Sequence, residues 1–191
     1  MELISAIRSL LSQVIHFLSR FTQANTKPSK DMATINGVVG AQFTQNQDGY
    51  DDRKYQYATS SYGDEHQMKP ALIVYPTSKE DISKAIQYAR KEGVAIAVRT
   101  GGHQYSGASS TLAPNIQLDL KNTFRGRDDR QIFEKDGQTF VRTGVSWPLG
   151  AFNEFLGSNG LFVPHGQCTN VHLGVSDYFL FPFQQGIVSL V

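Results

Sequence analysis

Two stretches of this 191-residue chain concentrate the residue types that do chemistry. The first reads Arg99-Thr100-Gly101-Gly102-His103-Gln104-Tyr105-Ser106-Gly107. Adjacent glycines let backbone N–H groups approach phosphate oxygens closely, and a loop beyond the carboxyl end of a strand is where open α/β sheets bind ligands. His103 adds an imidazole that is a nucleophile when neutral. There is no G-x-G-x-x-G opening a helix and no Gly-Lys-Ser/Thr, which excludes a dinucleotide Rossmann site and a P-loop. The alternative is a tight turn at Gly101-Gly102 with His103 on the surface. The second stretch, Pro164-His165-Gly166-Gln167-Cys168-Thr169-Asn170-Val171-His172-Leu173-Gly174, contains the single cysteine. His165, Cys168 and His172 stand at x2 and x3 spacings, and with His103 they would make four ligands of the kind zinc accepts. The alternative is that His165 and His172 are polar turn residues.

The elements that must position these stretches are legible nearby. Residues 71–75 form a short apolar run before Pro76, and Ser78 with Asp81 predicts a capping box at a helix start. Ile82, Ala85, Ile86 and Ala89 make the inner face of that helix, Gly93 stands at its left-handed stop, and residues 94–98 read as a second strand. A right-handed parallel crossover should connect the two strands. Residues 116–120 alternate as a strand, and residues 131–133 and 139–143 flank Asp136-Gly137 as a hairpin. Pro148 opens a helix carrying Leu149, Phe152, Phe155 and Leu156 that ends within residues 157–160. The expected fold class is α+β, a small mixed sheet with flanking helices.

With both chemical stretches in view, the chain resembles the FAD-linked oxidases that carry a PCMH-type (vanillyl-alcohol-oxidase type) FAD-binding domain. It is most similar to their berberine-bridge-enzyme-like and oligosaccharide-oxidase branch. In that family an Arg-Ser/Thr-Gly-Gly-His-x-Tyr-x-Gly loop holds the FAD pyrophosphate on backbone amides, and its His is bonded to the flavin 8α position. His103 stands at that place. A Gly-x-Cys-x-x-Val segment supplies a second link, from sulfur to flavin C6, matched here by Gly166, Cys168 and Val171. Thr143-Gly144-Val145 resembles the segment that passes under the cofactor. The resemblance therefore implies FAD as cofactor, held by Arg99, Thr100, Gly101, Gly102, His103, Gln104, Tyr105, Ser106, Gly107, Gly144, Gly166, Cys168 and Val171, with covalent links at His103 and Cys168 and no metal. It implies oxidation of an alcohol, a sugar hydroxyl or a C–N centre, with electrons passed to O2. The alternatives are a His/Cys metal-binding domain and a non-catalytic interaction protein with a vestigial flavin fold.

The match covers residues 69–174. Residues 175–191 match nothing in the family, so the chain is expected to be truncated after Gly174, to lack the substrate half with its catalytic residues, and to be inactive alone. Val175-Ser176 can be encoded by the bases of a splice donor, which makes a retained intron or misread exon end the expected origin of that tail. Upstream, residues 1–24 place Ile4, Ile7, Leu11, Val14, Leu18 and Phe21 on one stripe of an amphipathic helix, and the polar residues 25–68 read as a linker or arm. An acidic Glu2 and the interrupting Ser12, Gln13 and His16 do not fit a secretory signal. Composition narrows the classes further. A hydrophobic content of 40% excludes wholesale disorder, and a net charge of +1 offers no basic stripe for nucleic acid. One cysteine excludes a disulfide scaffold, and no run approaches ~18 apolar residues, the length that spans a membrane. A soluble chain is expected, with a small-molecule substrate in the intact family and association through the Ile4-to-Phe21 stripe. Replacing Ile7 and Leu11 with Asp should then abolish self- or partner association in light scattering; an unchanged mass distribution rules the stripe out.

Overall fold

The computed structural model describes residues 32–56, 68–104, 107–166, 168–175 and 187–190. The amphipathic stripe, Tyr105, Ser106 and residues 176–186 lie outside the described residues. Two small sheets carry the described chain, and the first contains β1 (Gln42–Thr44), β2 (Leu72–Val74), β3 (Ile96–Arg99) and β4 (Ile116–Asp119). Their order is β1-β2-β4-β3; β4 runs parallel to both β2 and β3, and β1 runs antiparallel to β2. The crossover strands β2 and β3 are thus parallel but not neighbours. Every residue of β2 and β4 is buried, which suits the centre of a sheet covered on both faces, whereas Val98 of β3 is 51% exposed and suits an edge.

Between β2 and β3 runs α2 (Lys79–Glu92), which follows the short α1 (Tyr50–Lys54) in the chain. Ser78 Oγ accepts from Asp81 N at 3.2 Å, and Gly93 takes the left-handed conformation at φ 68°. The second half of the expected capping box is replaced by something longer in range. The Asp81 carboxylate accepts from the amides of Val39 (2.9 Å), Gly40 (3.0 Å) and Thr77 (2.9 Å) and from the Thr77 hydroxyl (2.9 Å). Ala85 and Ala89 face the core with Ile82 beside them, but Ile86 is 39% exposed. Small residues at 85 and 89 bring the helix close to the sheet, and position 86 is rotated ~100° away from that line.

The linker expected over residues 25–68 is corrected by the described part of it. Ile35 joins the core formed by Leu72, Val74, Ala85 and Ile116, β1 extends the sheet, and the buried Tyr50 hydroxyl donates to Pro70 O at 2.6 Å. Gly40 is required there, because a Cβ would stand 1.9 Å from Tyr75 O.

The second sheet is built on the hairpin of β5 (Arg130–Lys135) and β6 (Gln138–Thr143). Its turn residues Asp136 and Gly137 both have positive φ, 52° and 72°, as a two-residue turn matched to strand twist requires. From the expected tail, β7 (Ile187–Leu190) adds in parallel to β6. Helix α3 (Leu149–Gly157) buries Leu149, Phe152 and Leu156 with Val141, Trp147 and Leu173, and Pro148 is its N-cap. Among the described residues no helix is long and apolar enough to cross a membrane.

Asp81 ties α2 to the chain before β1. Burial alone would raise its pKa, but the donated hydrogen bonds outweigh burial and lower it to about 2. A depressed carboxyl stabilises the fold above its unfolded pKa and loses that contribution as pH falls through the folded value. Asp81→Ala should lower stability at pH 7 by ~2–4 kcal/mol in urea unfolding, since several buried donors lose their acceptor. A loss under ~0.5 kcal/mol, the range of an ordinary surface substitution, would show that the carboxylate is dispensable.

Candidate functional site

Strands β3 and β4 end together, with Arg99 paired in register to Asp119. Loops leaving two parallel strands at the same end open a crevice between them. Here that crevice is a cleft of about 470 Å³ lined by Thr100, Gly101, Gly102 and His103 from the β3 loop and by Asp119 and Lys121 from the end of β4. Three more segments complete it: Asp52, Arg53, Tyr55 and Gln56; Tyr75; and Pro148, Asn170 and His172.

The segment after α3 is brought to the cleft by backbone pairing. Gly174 N donates to Val145 O (2.7 Å) and Leu173 N to Trp147 O (3.0 Å), while Leu149 N donates to Val171 O and Gly150 N to Thr169 O, both at 2.8 Å. The last two bonds satisfy amides in the first turn of α3 that have no partner within the helix. Residues 169–174 therefore lie as a strap along residues 145–150, and His172 is carried into the cleft.

Gly101 and Gly102 each make room for a neighbour. A Cβ on Gly101 would stand 2.6 Å from His103 Cδ2 and 3.1 Å from His172 Cγ. At Gly102 φ is 70°, and a Cβ there would stand 3.2 Å from Gln56 Cβ. The two imidazoles lie with ring centroids 6.5 Å apart and tilted by 41°. Burial, followed by the Arg125, His103 and Lys121 charges, lowers the His172 pKa to about 4. Burial and Lys121 lower that of His103 as well. Both rings are held toward the neutral form, which is the nucleophilic one. Thr100 is 3% exposed and its Oγ1 has no hydrogen-bond partner among the described residues. A cleft floored by glycines, with a buried hydroxyl in need of a partner and cations at its edge, fits a phosphate-bearing cofactor.

The other expected site residues divide. Gln104 keeps its carbonyl on Gln56 Nε2 at 2.8 Å, and Gly107 N closes a turn onto Gln104 O at 3.3 Å. Arg99 lines the cleft, but its guanidinium is committed to Asp119 and to the carbonyls of residues 53–55. Gly144 lines a different cleft, of about 450 Å³, with Phe124 and Arg142, and a Cβ on it would stand 1.9 Å from Phe124 O. Its glycine is explained by that backbone contact. Val171 packs on the second core, Gly166 and Cys168 are exposed, and Cys168 O accepts from Val171 N at 3.1 Å. His165 faces Asn153 Oδ1 and Gly166 O instead of the other histidines. Among the described residues no three His, Cys, Asp or Glu side chains gather as a metal ion would need. The wall formed by residues 52–56 escaped the sequence reading; the one available signal was the aromatic and charged run Arg53-Lys54-Tyr55 inside an otherwise polar segment.

Residues 70–174 match the family model described as FAD binding domain. Berberine bridge enzyme-like 18 of Arabidopsis thaliana is 33% identical over 110 residues, covering 56% of this chain and 19% of that protein. Reticuline oxidase of Eschscholzia californica is 45% identical over 58 residues, covering 30% of this chain and 11% of that protein. The chain thus spans about a fifth or less of the length of these curated relatives. Among solved structures, 6-hydroxy-D-nicotine oxidase from Arthrobacter nicotinovorans shares the fold with a TM-score of 0.57 at 24% identity, over 74% of this chain and 29% of that one.

The neutral, buried His172 sets a pH dependence. Its folded pKa of about 4 lies below the ordinary 6.5, so between those values the unfolded chain binds more protons and stability rises with pH. Acidification through that window should remove ~1–2 kcal/mol once solvent screening of the ring is allowed for, and His172→Gln should flatten the dependence. Urea unfolding of both proteins at several pH values reads this directly; equal slopes would exclude His172 as the source.

Proposed function

Because this chain belongs to the FAD-linked oxidases with a PCMH-type FAD-binding domain, whose cofactor is FAD, we propose that the cleft beyond β3 and β4 is its flavin site. In this reading the pyrophosphate lies on the amides of residues 100–107, the Thr100 hydroxyl finds its missing partner there, and His103 meets the 8α position of the ring. The single observation that carries the reading is the convergence of Gly101, Gly102 and the buried Thr100 with the His103 imidazole in one cleft. Cys168 belongs to the site by its motif; its exposed thiol is free to meet the flavin C6 position.

Bound FAD would supply a hydride acceptor. The residues of this chain bind and orient it: the glycines admit the phosphates, the strap holds His172 against the loop, and burial, with Lys121 beside both rings, disfavours protonation of the imidazoles. The complete protein would oxidise an alcohol, a sugar hydroxyl or a C–N centre, with O2 as acceptor. The proton-accepting base for that step is not assigned to this chain.

Intact mass after incubation with FAD and denaturation tests the two links. Wild type should carry at most a partial flavin-sized increment, because an intact pocket is what brings the reacting atoms together; whatever increment it carries should persist in His103→Ala and in Cys168→Ala and be lost in the double variant. Gly102→Val should reduce FAD affinity at least tenfold (~1.4 kcal/mol), because it imposes a side chain at positive φ on the cleft floor. An increment that survives the double replacement would overturn the site assignment.

A further inference from the structure

Residues 52–56 contribute four side chains to the cleft, yet little in their own sequence holds them there. Helix α1 has five residues, too few to persist in isolation, and its last carbonyls have no partners within the helix. Arg99 provides them. Its NH1 donates to Lys54 O (3.2 Å) and Tyr55 O (2.9 Å), and its NH2 donates to Arg53 O. Nε donates to Asp119 Oδ2 at 2.7 Å, and the residue is 4% exposed. Gln56 makes a second tie: its Nε2 donates to Gln104 O at 2.8 Å, and Ser109 Oγ donates to its Oε1.

We propose that Arg99 is a positioning residue, a strut that fixes residues 53–56 against the β3 loop as a wall of the cleft, and that it takes no phosphate. Four of its five N–H groups already meet three carbonyls and a buried carboxylate, which leaves little of the fork for a ligand in the cleft. One planar fork serves all four acceptors from a single buried point, which an ammonium with no fixed geometry does not. The proposal rests on the flavin reading only for the identity of what the cleft holds.

The carbonyls held by Arg99 include those of the Arg53 and Lys54 peptide bonds, which trypsin attacks. In the full chain without flavin, cleavage at these two bonds should be about tenfold faster in Arg99→Lys than in wild type, because the segment opens locally. Cleavage after the exposed Lys135 should be unchanged. The paired Arg99→Gln, Asp119→Asn variant leaves no unpaired buried charge and should show the same acceleration. FAD and riboflavin, which lacks both phosphates and the adenosine, are then titrated by flavin fluorescence. A strut predicts that Arg99→Lys weakens both by the same factor, about tenfold for a loss of ~1.4 kcal/mol. Equal cleavage rates at Arg53 and Lys54 in wild type and both variants would overturn the proposal, as would a loss of FAD affinity with riboflavin affinity unchanged. A wild type that binds neither flavin would sink the flavin reading, while the cleavage rates would still decide the strut.

Discussion

The Arg99–Asp119 ion pair stands where the sheet ends and the site begins. The two residues are register partners on adjacent parallel strands, both nearly inaccessible, with Nε 2.7 Å from Oδ2. Leu120 N donates to Arg99 O at 2.7 Å and Lys121 N to Asp119 Oδ1 at 3.0 Å, so the same pair shapes the chain as it leaves β4. Removing one member of such a pair leaves an uncompensated buried charge, at a cost of ~3–5 kcal/mol. The end of the sheet, the exit of both loops and the carbonyl end of α1 therefore meet at this contact.

Around that anchor, the cleft is assembled from short pieces that could not hold position alone. The strap of residues 169–174 is fixed by backbone bonds to residues 145–150, and those bonds also complete the start of α3. The second core of Val141, Trp147, Leu149, Phe152, Leu156 and Leu173 lies beneath it. His172 is consequently part of a packed layer, and its imidazole is held neutral against His103 by burial and by Arg125 and Lys121. The chemistry available at His103 follows from this arrangement: a neutral nitrogen beside a glycine floor, in a cleft edged with positive charge.

The glycines illustrate how one residue type serves different constraints. Gly101 yields space to two imidazoles, Gly40 to the Tyr75 carbonyl, and Gly144 to the Phe124 carbonyl. Only the first belongs to the cleft. A family motif that spans several glycines therefore mixes residues that line the cleft with residues that let the backbone pack.

The sequence by itself determined what depends on near neighbours in the chain. Ser78 and Gly93 bound α2, Asp136-Gly137 closes the hairpin, and Gly101-Gly102-His103 follows the end of β3, because caps, turns and glycine conformations are settled within a few residues. The family resemblance over residues 69–174 rested on such local motifs and agrees with the matched span 70–174. Tertiary structure decided the rest. Asp81 finds amide donors at Val39 and Gly40, Arg99 finds carbonyls at residues 53–55, and Gln56 finds Gln104, each more than forty residues away. No periodicity records a hydrogen bond across that distance, so residues 25–68 read as a linker or arm and the carbonyl partners of Arg99 were not visible in the sequence. β4 took the centre of the sheet because its residues could be covered on both faces, a property of the neighbours it packs against and not of its own four residues.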